Sequence, residues 1–98
     1  MSESAFDVFE AAARDDGFEE VLERTWPPLT VVEEHSHAFA VKALVVFGDM
    51  WLTVGGNTQH LEVGDTFELP ADCLHAERYG PEGATYWVAR LHPAGQAS

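Results

Sequence analysis

The chain has 98 residues, room for one domain with a modest core. It carries 17 Asp plus Glu against 5 Lys plus Arg, a formal net charge of -12, and such a surface repels nucleic acid and anionic membrane. An apolar fraction of 46% with three tryptophans argues against general disorder, and a single cysteine, Cys73, excludes an internal disulfide.

In chain order, Phe6, Phe9 and Ala13 recur at helical spacing ahead of Gly17, which predicts a short helix over residues 1–17 lying on a sheet, with Met1–Ser4 frayed. Residues 18–25 read as a first strand, closed by Trp26-Pro27-Pro28 because proline cannot donate to a ladder. Leu29–Glu34 is an edge strand or irregular extended segment. Residues 38–47 are nearly all apolar, as in a strand covered on both faces. Gly48-Asp49 is expected to turn the chain into a strand over 50–54. Gly55-Gly56-Asn57 is a hairpin turn, and residues 58–63 return. After a Gly64-Asp65 turn come a short strand Thr66–Leu69, a bend at Pro70-Ala71-Asp72, and a strand over 73–79. Gly80-Pro81-Glu82-Gly83 reads as a further turn before a final strand over 84–91. About seven or eight short strands at hairpin spacing describe a β-sandwich or small barrel over residues 18–92, with 93–98 a loose tail.

The scaffold frames Glu33-Glu34-His35-Ser36-His37. Two histidines one residue apart share a strand face, and the bend before His75 could return a third imidazole against them. Converging imidazoles make a metal site the leading idea.

The same residues resemble the two motifs of the cupin superfamily. His35 and His37 match the opening His-x-His of the first motif, with Gly48 at its later glycine. Gly64, Pro70 and His75 match the second, with Asp72 and Tyr79 where glycine and asparagine are usual. The resemblance covers roughly residues 18–91. It implies an all-β fold, a double-stranded β-helix (jelly-roll) barrel, with His35, His37 and His75 holding a divalent transition metal such as Zn, Fe, Mn or Ni. It also implies a homodimer. Lys42 stands where the family has a glutamate ligand, and an ammonium cannot replace a carboxylate beside a cation.

Lys42, Cys73, Tyr86 and Trp51 are the candidate substrate-binding residues. Lys42 has three competing roles: holding a substrate carboxylate, pairing with an acid such as Glu33, Glu34 or Glu68, or snorkelling outward. Cys73 shares strand parity with His75 and reads as a small buried hydrophobe or as a pocket group. The aromatic residues serve packing or stack on a ligand. His60 reads as a surface residue beside a hairpin. Two functions are expected at similar weight: a metal-dependent enzyme (dioxygenase, isomerase or lyase) on a small polar or anionic compound, and a non-catalytic ligand-binding or sensing module. A structural dimer with a vestigial pocket is the third. No basic leader or membrane-spanning run is present, so the cytoplasm is the default location.

Overall fold

The computed structural model describes residues 4–92. Met1–Glu3 and the tail assigned to 93–98 lie outside the described residues. Helix α1 spans Ala5–Asp15, and Ser4 caps it by accepting a hydrogen bond from the Asp7 amide at 3.1 Å. Its other end closes with paired bonds, Phe18 N–H to Ala13 O and Gly17 N–H to Arg14 O, around Gly17 at φ 97°. This is the glycine-dependent helix stop in which the last carbonyls find partners. Phe6 and Phe9 rest on Trp87, with ring centroids 5.4 and 6.0 Å away, so the helix covers the outer face of the final strand.

Six strands follow among the described residues: β1 (Glu20–Trp26), β2 (Val31–His35), β3 (Ala40–Val54), β4 (Asn57–Glu62), β5 (Thr66–Leu69) and β6 (His75–Leu91). The antiparallel β3–β6 ladder is the spine. Its two halves take different neighbours. Around the first half of β3 and the second half of β6, the order is β1-β6-β3-β5; around the other halves it is β2-β6-β3-β4. A single core cluster draws Val41, Ala43, Val45, Tyr86 and Val88 from one half and Met50, Leu52, Leu61 and Tyr79 from the other. This is the jelly-roll arrangement, in which two four-stranded layers enclose the apolar side chains between them.

The expected turns at Gly48-Asp49 and Gly80–Gly83 are corrected. Both segments lie inside continuous strands, at the point where the spine passes from one layer to the other. Between the pairs Gly48↔Ala84 and Met50↔Tyr79 the register shifts, with Asp49 facing the whole of 80–83. The glycines are there for close approach rather than for reversal. A Cβ on Gly48 would meet the Gly83 carbonyl oxygen at 2.0 Å, and one on Gly80 would meet Asp49 Oδ1 at 1.9 Å. Gly55-Gly56 does form the expected hairpin, with positive φ at both residues, as a two-residue turn between β3 and β4 requires.

Candidate metal centre

His35 ends β2, His37 follows two residues on, and His75 opens β6 opposite His35. Two local devices bring them together. The Asp72 amide donates to the His37 carbonyl at 2.7 Å, which ties the bend before β6 to the loop after β2. Asp72 itself has φ 64°, a left-handed conformation that aspartate tolerates better than most residues. One ring nitrogen from each histidine lies within 4.8 Å of the others.

The hydrogen bonds decide which nitrogens face inward. His35 Nδ1 lies 2.9 Å from the Glu33 carbonyl oxygen, and His75 Nδ1 lies 3.0 Å from that of Cys73. A carbonyl can only accept, so each Nδ1 carries a proton, and in the neutral ring each Nε2 presents a lone pair to the interior. His37 Nε2 is 3.2 Å from His35 Nε2, the contact of an N–H donor to that lone pair; in its other tautomer His37 adds a third lone pair. Burial, the neighbouring His35 and His75, and Arg90 hold the His37 pKa below the ordinary 6.5, with Glu77 opposing them.

This donor set fits a transition metal. Two nitrogens bound to one ion through bonds of about 2.0–2.1 Å stand at most about 4.2 Å apart. The 3.2 Å pair already meets that limit, and the widest separation in the group is no more than 4.8 Å. Carbonyl-anchored Nδ1–H groups are the usual outer support of metal-binding imidazoles.

The sequence reading missed Glu77. It projects from β6 on the same face as His75 and is 9% exposed. Its Oε2 lies 3.3 Å from His75 Nε2 and 3.8 Å from His35 Nε2. The Tyr79 hydroxyl donates to its Oε1. Burial, with Tyr86 and Glu77 beside it, pushes the Tyr79 pKa far above the usual phenol range, which keeps that hydroxyl a donor. Burial and Glu77 also raise the pKa of Tyr86. The parity of His75, Glu77 and Tyr79 along one strand was the available signal.

The histidines open onto a cavity of about 130 Å³, walled by Trp26, Phe39, Phe67 and Tyr86 among others, with Arg24 and Arg90 also on its lining. Arg24 lies over Trp26 and Arg90 over Phe39, each 5.0 Å from the ring centroid. Arg90 Nε is buried without a hydrogen-bond partner.

Of the four expected substrate-binding residues, Tyr86 alone lines this cavity, its hydroxyl accepting from Trp26 Nε1 at 3.0 Å. Lys42 is corrected. Val41, Ala43 and Val45 take the inner face of β3, and Lys42 points outward to Asp16 Oδ2 at 3.3 Å, beside the end of α1. Trp51 is corrected too, since it lies on the outer face, stacked on His60 at 4.4 Å with Arg78 over its ring. Cys73 precedes β6 and lies off the cavity lining; its carbonyl, rather than its thiol, serves the site by anchoring His75.

No protein-family model matches the chain, and no curated protein matches it by sequence. Solved structures do. An RmlC-like cupin from Shewanella frigidimarina superposes with a TM-score of 0.64 at 18% identity, over 80% of this chain and 69% of that one. The DMSP lyase DddQ from Ruegeria pomeroyi gives 0.69 at 18% identity, over 79% of this chain and 40% of the lyase. An HTH_3 family transcriptional regulator from Vibrio cholerae gives 0.66 at 19%, over 82% of this chain and 46% of the regulator. At these identities the likeness carries the fold, and the lyase and the regulator are each more than twice the length of the part matched.

Proposed function

We propose that this chain, which has the cupin fold, is a small metal-dependent protein whose centre of His35, His37 and His75 acts on a small anionic compound. The observation that carries the reading is the inward aim of the imidazole lone pairs, fixed at His35 and His75 by backbone carbonyls. The same bonds would satisfy a packed core histidine, so it is the convergence of all three rings on one point that favours a metal. A divalent ion there supplies Lewis acidity toward a ligand oxygen.

The residues around it select that ligand. In a chain with five Lys and Arg in all, Arg24 and Arg90 both lie on the cavity wall. A buried guanidinium N–H without a partner is unfavourable until an acceptor reaches it, and Arg90 offers one. Guanidinium groups pair with carboxylates in a planar, two-point manner, so a small carboxylate is the favoured ligand. The cavity of about 130 Å³ is well below the roughly 300–1,000 Å³ of drug-sized pockets. Aromatic walls exclude water around the ligand, and Tyr86 brings a neutral hydroxyl to the wall.

Pairing of two copies belongs to the same reading. Its support is the open outer edges of β1 and β2 and the exposure of Val31 on β2, 61%. The lyase among the structural neighbours is compatible with an enzymatic role, and it lends no substrate to this chain.

Elemental analysis of protein purified without added metal or chelator tests the proposal. The expected result is close to one transition-metal ion per chain in the parent and none in His37→Ala. Parent protein that takes up no divalent transition metal, even when supplied, would overturn it.

A further inference from the structure

The chain has lysine where the family resemblance called for an acid, yet the site does not lack one. Glu77 enters from a different strand than Lys42 and brings a carboxylate oxygen to 3.3 Å from His75 and 3.8 Å from His35. A carboxylate facing two imidazole nitrogens is balanced by a proton on a ring or by a bound metal ion. His75 Nδ1–H is committed to the Cys73 carbonyl, so Nε2 is the nitrogen turned toward Glu77 Oε2, 3.3 Å away. His35 does the same from 3.8 Å, with its own Nδ1–H on Glu33. Two ring nitrogens and a carboxylate oxygen therefore face one another around a buried acid, where uncompensated negative charge is most unfavourable.

We infer that Glu77 is a fourth metal ligand, and that this site carries its acidic donor on the strand of its third histidine. The inference rests on the metal reading above. The spacing agrees, because donors 3.3 Å apart can share one ion at bonds of about 2.0–2.2 Å. The other carboxylate oxygen is held by Tyr79, which leaves Oε2 alone to bind. Ligating carboxylates are generally hydrogen-bonded in this way on their outer side. The consequence for ligand choice is direct: with Glu77 bound, a divalent centre has a net charge of +1 rather than +2. A monoanion then suffices to neutralise it, with Arg90 Nε left to meet a second oxygen or a second anionic group while its Nη1 reaches Glu20 Oε1 at 3.4 Å.

The test uses the full chain with Co(II) and Zn(II) as probes, in the parent, Glu77→Gln and Glu77→Leu. Two variants are used because replacing a buried charge with an apolar side chain is often neutral or stabilising, so the leucine protein serves if the glutamine one does not fold. Zn(II) affinity is read by competition with a chelator, and the Co(II) ligand field by visible absorption. The expected result is a loss of Zn(II) affinity of at least about ten-fold in both variants, with displaced Co(II) bands. Co(II) bands identical to the parent's overturn the inference whatever the affinity does, because a ligand cannot be exchanged without moving them. A parent that binds neither ion fails differently, since it removes the metal reading itself.

Discussion

The molecule contains two settings for histidine, and they place the ring proton on opposite nitrogens. On the outer face, His60 stacks on Trp51 and donates Nε2–H to Asp49 Oδ2 at 2.7 Å. On the inner face, His35 and His75 donate from Nδ1 to backbone carbonyls and keep Nε2 bare. The sequence neighbourhood differs little, since each histidine lies in or beside a strand. What differs is the acceptor each ring meets. The backbone carbonyls leave Nε2 of His35 and His75 turned inward, as the proposed ligand role requires, whereas Asp49 engages Nε2 of His60 at the surface.

The sharpest way to break that contrast is substitution at both places. His75→Ala is expected to lower metal affinity by at least about 100-fold, above the roughly 10–100-fold typical of losing an outer supporting group. His60→Ala is expected to leave metal content unchanged, as measured by elemental analysis. If both variants lose metal alike, the tautomer argument fails.

Acid titration separates the settings next. His37 has its pKa held below 6.5 in the folded chain by burial and its imidazole neighbours, so the unfolded chain binds more protons just under that value. Stability of the metal-free protein is therefore expected to rise with pH between the depressed pKa and 6.5, and to level off above. Denaturant titrations at several pH values check this, and His37→Ala should flatten that part of the slope.

Arg90→Ala sharpens the picture of the cavity. It is expected to weaken binding of small carboxylates by roughly ten-fold or more, the equivalent of a charge-assisted hydrogen bond, while metal content stays the same. Calorimetric titration of the metal-loaded protein reads both effects separately. The smallest effect belongs to Lys42→Ala. Its pair with Asp16 is a surface contact, with the lysine a third exposed and the aspartate more so, and a loss of about 0–1 kcal/mol is expected in thermal unfolding. Metal uptake should not change.

The first strand, the glycine hairpin and the short β5 were legible because alternation and turn residues act locally. The histidines were legible because His35 and His37 share a face by simple parity. Lys42 was left open between an inward and an outward role for a physical reason. β3 is apolar on both faces here, since Trp87 and α1 cover the outer side near Leu44, and the alternation that would have sent Lys42 outward was masked. Glu77 was hidden among 17 acids, although its parity with His75 and Tyr79 was in plain view. The glycines at 48 and 80–83 were read as reversals because a turn and a tight crossing demand the same small residue.

The last of the described strands, β6, pairs with β1, β2 and β3. Neither layer can be completed before it has been synthesised, so a chain emerging from the ribosome holds two of its histidines ready long before their partner arrives. Assembly of the proposed centre is then a single late event, dominated by contacts distant in sequence and correspondingly slow. On the proposed reading, nascent chains stalled short of residue 75 should be unable to trap the ion, so that capture of metal would report that β6 has joined both layers.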